Sequence, residues 1–159
     1  MSTKVEGREE ETREIRKSIV IDASPGVVFK AIADPNELTK WFPDQVILEP
    51  SIGGKVRFSS LKETHPLEKL DMDYFMEGTI KELVPDKKLS YTWKFKNIPR
   101  FPETTVIWEL EKIDPNKTKV KLTHLGFTGE EKGMTSLESH DKGWTDALNK
   151  LTKYCKGRE

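Results

Sequence analysis

The side chains best suited to acid–base or metal chemistry in this sequence are three histidines, His65, His124 and His140. They fall in a loop, at a strand end and at a helix start, and none has a cysteine or a second histidine at ligand spacing, so no metal site is expected. His140 and Asp141 could be read as a base with its orienting acid, but adjacent residues on a helix point about 100° apart and do not face each other. The sequence holds no Gly-x-Ser-x-Gly elbow and no dinucleotide fingerprint, and Gly53-Gly54-Lys55 leads into a strand instead of the helix a phosphate loop needs. No catalytic residue and no cofactor are therefore assigned.

Aromatic groups on one strand parity offer a different chemistry, the binding of an apolar molecule. Between Leu89 and Lys96 the alternation is strict: Leu89, Tyr91, Trp93 and Phe95 share one face, and Ser90, Thr92, Lys94 and Lys96 share the other. The same inward parity collects Val56 and Phe58, then Tyr74, Met76 and Ile80, then Val106, Trp108 and Leu110, then Val120, Leu122 and His124. Gly78 falls on this parity too, where a missing side chain either bends the strand or leaves space. The expected binding residues are Phe58, Tyr74, Met76, Gly78, Tyr91, Trp93, Trp108, His124, Trp144 and Leu148. A mainly apolar surface with a few tyrosine, indole and imidazole handles suits a small-molecule pocket. It suits a filled core with satisfied polar tips equally well. Both readings stand at this point.

The elements that would position these groups are strands followed by one long helix. Leu137, Trp144, Leu148, Leu151 and Cys155 recur at spacings of 7, 4, 3 and 4, one apolar helical stripe. Acids, from Glu130 and Glu131 to Asp146, crowd its first half, and bases from Lys150 to Arg158 its second, the order a helix dipole prefers. Gly143 is out of place, costing about 1 kcal/mol relative to alanine in a helix interior, and close helix–sheet packing is the expected reason. Ahead of this helix, Glu14 to Asp22 reads as a half-buried strand. Ser24-Pro25 and Asp34-Pro35 each supply an N-cap with proline at the first helical position, opening two short helices. About six strands then run from Gln45 to Leu125. Antiparallel strands with segregated helices make an α+β fold.

Composition bounds the function. At 159 residues the chain suits one domain, expected over 13–159, with 1–12 as a disordered polar tail. Acids and bases balance at 27 each, and neither short helix carries a basic face, so no nucleic-acid partner is expected. No apolar stretch approaches the roughly 20 residues of a membrane span. The charged start excludes a secretory signal, and the lone Cys155 forms no internal disulfide; a cytoplasmic monomer is expected.

Four segments in order carry a family resemblance: Asp22-Ala-Ser-Pro-Gly-Val-Val-Phe29 followed by Trp41; Gly53-Gly54; Gly78-Thr-Ile-Lys-Glu-Leu-Val-Pro85 running into Leu89-Ser-Tyr-Thr-Trp93; and Gly143-Trp144 with Leu148 and Leu151. Together they resemble the domain shared by activators of the heat-shock-protein-90 ATPase, within the START-like, birch-pollen-allergen-like helix-grip superfamily. The resemblance covers about Arg13 to Lys156. It implies a bent antiparallel sheet of six or seven strands gripping the C-terminal helix, with an apolar cavity between them. It implies function only loosely. The eukaryotic activators carry an additional N-terminal domain that engages the chaperone, and the first 12 residues here hold no such motif, so this chain resembles the accessory domain alone. Three roles follow as expectations: binding a hydrophobic small molecule, a stress-related accessory role through surface contact with a chaperone, or a cyclase- or dehydratase-like reaction using His124 or a tyrosine.

Overall fold

A computed structural model describes residues 13–42, 45–62 and 70–158. The expected tail over 1–12 and His65 lie outside the described residues. Seven strands form one antiparallel sheet: β1 (Glu14–Ile21), β2 (Gln45–Leu48), β3 (Lys55–Ser60), β4 (Tyr74–Val84), β5 (Lys88–Phe95), β6 (Thr104–Asp114) and β7 (Lys117–Leu125). Their spatial order is β1-β7-β6-β5-β4-β3-β2. Two short helices, α1 (Pro25–Ala33) and α2 (Pro35–Trp41), connect β1 to β2, and the long helix α3 (Leu137–Cys155) packs on the sheet. This is the helix-grip arrangement of an α+β fold.

Local chemistry explains the boundaries. Ser24 Oγ accepts from the Val27 amide at 3.2 Å and Asp34 Oδ1 from the Asn36 amide at 2.8 Å, so both short helices open on side-chain caps followed by proline. The Trp41 indole donates to the Ala31 carbonyl at 3.0 Å and ties α2 to α1. Gly53, at φ +84°, supplies the left-handed turn before β3.

Registers follow the hydrophobic parity. Glu111 faces Lys119 and Glu109 faces Lys121 across β6 and β7, the pairing that keeps Trp108 and Leu110 on the face of Val120, Leu122 and His124. Neither acid closes on its lysine to within ion-pair distance, so apolar parity sets this register without help from charge. The strands run further into the hairpin than their alternation suggests, with Ile113 bulged and a turn at Pro115-Asn116 held by the Asn116 amide on Asp114 Oδ1 at 2.8 Å.

Two expectations about faces need correction. Ser90 and Thr92 lie on the outward parity of β5 yet are buried, because their hydroxyls serve the neighbouring strand: Ser90 donates to Glu82, and Thr92 Oγ1 accepts from the Thr79 amide at 2.9 Å. Glu130 and Glu131 precede α3 and do not belong to its first turns. Glu131 instead closes the 128–131 turn through the Thr128 amide and hydroxyl and the Gly129 amide.

Candidate functional site

The buried stripe of α3 is His140, Trp144, Leu148, Leu151 and Cys155, at spacings of 4, 4, 3 and 4. His140 thus continues the stripe one turn before Trp144, and Leu137 is only half-buried. This brings His140 onto the sheet beside His124, with ring centroids 5.3 Å apart. Far apart in sequence, the two histidines are neighbours in space.

They anchor a buried hydrogen-bonded network. The Trp144 indole donates to His124 Nδ1 at 2.9 Å, and His124 Nε2 meets Thr104 Oγ1 at 2.7 Å. Thr104 in turn donates to the Trp93 carbonyl at 2.8 Å. The Trp93 indole donates to His140 Nε2 at 3.2 Å, and His140 Nδ1 lies 3.0 Å from the Ser136 carbonyl. An indole N–H can only donate and a carbonyl can only accept. His124 is therefore protonated at Nε2 and His140 at Nδ1, both neutral. The Trp108 indole donates to the Tyr91 hydroxyl at 3.1 Å beside them.

Burial, and then the neighbouring His140, hold His124 well below the ordinary imidazole value of 6.5. Burial also lowers His140, opposed in part by the Ser136 and Thr135 backbone and by Glu131. Below about pH 6.5 the unfolded chain binds protons that the folded imidazoles refuse, so unfolding free energy rises with pH there and is lost as pH falls. The loss is at most about 1.4 kcal/mol per pH unit for each imidazole. Urea unfolding midpoints should therefore fall from pH 7 to 5.5, and His140→Gln should flatten that slope. A midpoint that does not move across this interval would contradict the neutral pair.

Beside the network, between α3, the end of α2 and strands β3 to β5, lies a cavity of about 210 Å³. Phe58 and Ser60 of β3, Tyr74 and Met76 of β4, and Trp93 and Phe95 of β5 form its sheet wall. Trp41, Phe42, Leu70 and Met134 close it from the connecting segments, and Phe42 stacks on Phe58 with centroids 4.9 Å apart. The helix contributes His140, Gly143, Trp144 and Ala147, with Lys142, Asp146 and Lys150 along one flank. A wider depression of about 680 Å³ between the 98–101 and 128–135 loops is lined mainly by charged and small polar residues and lacks such an apolar wall.

Of the expected binding residues, Phe58, Tyr74, Met76, Trp93 and Trp144 border the cavity. Tyr91, Trp108, His124 and Leu148 do not; they are buried in the packed part of the core. The sheet face is thus filled on its β6 and β7 side and open on its β3 to β5 side, a division that strand parity cannot reveal. Gly78 also leaves the set. A Cβ there would lie 1.7 Å from the Thr92 carbonyl oxygen, so the glycine serves close approach of β4 to β5 and opens no space. Gly143 shows the converse: a Cβ there would meet nothing within 4 Å. It borders the cavity and is not packed against the sheet. The overlooked signal is that Gly143 and Ala147 are small residues one turn apart, beside the Trp144 stripe.

What this arrangement can do chemically is limited by its hydrogen bonds. Both ring nitrogens of His124 and His140 have partners, and the Tyr74 hydroxyl donates to Asp71. Burial and this bond raise Tyr74 above the ordinary phenol value. Among the described residues, no group of three or more His, Cys, Asp or Glu side chains could hold a metal ion. No helix among them is long and apolar enough to cross a membrane.

Solved structures repeat this architecture. A Chromobacterium violaceum protein superposes with a TM-score of 0.77 at 21% identity, covering 92% of this chain and 99% of its own. The Aha1 dimer from Colwellia psychrerythraea gives 0.70 at 19% identity, over 91% and 96% of the two chains. An HSP90 activator from Plasmodium falciparum gives 0.69 at 25% identity, over 87% and 93%. Comparison with curated protein sequences finds no significant match. The family described as Activator of Hsp90 ATPase homolog 1-like protein matches residues 22–156, nearly the whole length from the end of β1 through α3. The chain belongs to that family.

Proposed function

We propose that this protein binds a hydrophobic small molecule in the cavity between the sheet and α3 and does not transform it. One observation carries the reading: an apolar cavity beside a buried polar network whose donors and acceptors are already engaged with one another. An occupant would gain burial against Phe58, Trp93 and Trp144 without breaking a hydrogen bond. A general acid or base, by contrast, would have to leave its partner first. In this reading the protein acts as a cytoplasmic monomer, where the buried Cys155 thiol, pushed up to about 12 by burial, stays protonated and unreactive.

A native mass spectrum of freshly purified protein is the test, because a retained occupant adds a discrete mass that denaturation removes. Trp93 and Trp144 border the cavity, so their emission should also shift when the cavity is filled. An empty mass spectrum, together with emission unmoved by a panel of small aromatics and short fatty acids, would sink the reading.

A second reading rests on the family itself and on the similarity to an HSP90 activator from Plasmodium falciparum. Here the protein would be an accessory to a chaperone, contacting it through the charged outer surface. Stimulation of a chaperone ATPase by the wild type, retained when the cavity is blocked but lost on surface charge reversal, distinguishes it from the first.

A further inference from the structure

Cavity size and charge narrow the occupant. A cavity of about 150 Å³ lined by aliphatic and aromatic groups holds benzene, and this one measures about 210 Å³. One aromatic ring with a short side chain fills this volume, and a fused three- or four-ring molecule would have to extend past its open border. The deep wall offers such a molecule no counter-charge, because His140 is held neutral and the Trp93 and Trp144 indoles donate inward to the histidines. A charged end therefore finds its partner on the helix flank, where Lys142, Asp146 and Lys150 stand at successive one-turn spacings.

Charge on that flank is unequal. Lys150 Nζ pairs with Asp146 at 3.3 Å, and Asp141, next to Lys142 in sequence, is paired with Lys17 of β1 at 3.1 Å. Lys142 is left without an acidic partner within 4 Å among the described residues. Among the described residues, the border of the cavity thus carries one surplus positive charge, on a side chain long enough to lean over a bound molecule.

We propose that the occupant is a compact monocarboxylic acid, one ring or an equivalent short alkyl chain in size, with its apolar body between Phe58, Trp93 and Trp144 and its carboxylate on Lys142. This deepens the binding reading above and rests on it. Lys142 sets ligand class by attracting an anion and repelling an amine, and the apolar wall supplies the bulk of the affinity.

The experiment is a calorimetric titration with 3-phenylpropanoate, 3-phenylpropanol and 3-phenylpropylamine at low ionic strength, on the wild type and on Lys142→Met. Lys142 is exposed, so the variant should keep its circular dichroism spectrum. The acid should bind the wild type about fivefold or more tightly than the alcohol, the amine should bind most weakly, and added salt should narrow the gap. In Lys142→Met the ratio of acid to alcohol affinity should fall to near one. Equal or tighter binding of the alcohol by the wild type, or an acid preference that survives in Lys142→Met, overturns the carboxylate assignment while leaving the cavity as a binding site. Palmitate binding more tightly than 3-phenylpropanoate overturns the size limit. Saturable binding by none of the probes overturns the binding reading itself, and this inference with it.

Discussion

Trp144→Ala is expected to lower folding stability by about 3–5 kcal/mol, the range for removing a buried indole. Trp144 is buried, with Trp93 at 5.3 Å and Trp108 edge-on at 5.8 Å between ring centroids. Its N–H is also the partner of His124 Nδ1, which the truncation would leave buried and unsatisfied. Domains of this size are stable by only about 5–15 kcal/mol, so the alanine variant sits close to the folding threshold. Trp144→Phe separates the contributions, since it keeps a ring while orphaning the imidazole, and should cost about 1–3 kcal/mol. Urea unfolding followed by far-ultraviolet circular dichroism measures both. An alanine variant that loses less than about 1 kcal/mol would mean that the indole borders open space on more than one side.

Gly78→Ala should be costly for a different reason. The added methyl would sit 1.7 Å from the Thr92 carbonyl oxygen and 2.6 Å from its carbon, and both are backbone atoms that cannot rotate aside. Strands β4 and β5 must separate, which loosens the Thr79 amide from Thr92 Oγ1 and disturbs the nearby pairing of Ile80 with Tyr91. A loss of about 3 kcal/mol is expected, at the upper end for overpacking. Because β4 and β5 form the sheet wall of the cavity, a variant that still folds should also bind less. The same substitution at Gly143, where space is open, should cause neither loss. Equal stability of Gly78→Ala and wild type would show that the strands are not held at this close approach.

These two glycines mark how far the fold and the site could be read from sequence. Element order, the proline-led caps at Ser24 and Asp34, and the even register of β6 against β7 follow from local periodicity, and each appears in the structure. What periodicity assigns is a face; what it cannot assign is whether the space above that face is filled. Trp108 and Trp93 share the inward parity, yet one is enclosed in the packed core and the other borders the cavity, although the same helix contributes to both surroundings. Gly78 and Gly143 look alike in sequence and serve opposite purposes, as only the position of the neighbouring backbone decides. His140 was hidden by the expectation that the helix begins there, although it lies one turn before Trp144 on the same stripe. Its pairing with His124 depends on tertiary placement that no local spacing encodes.

The central claim is that the space beneath α3 accepts a small hydrophobic molecule, and a neutral probe tests it without invoking the flanking charges. Calorimetric titration of 3-phenylpropanol into the wild type and into Ala147→Phe, which places a ring where Ala147 now borders the cavity, is the most direct measurement. The wild type should give saturable one-site binding with a negative heat-capacity change, the mark of buried apolar surface, and Ala147→Phe should abolish it. Absence of saturable heat in the wild type, or the same affinity in both proteins, would contradict the claim.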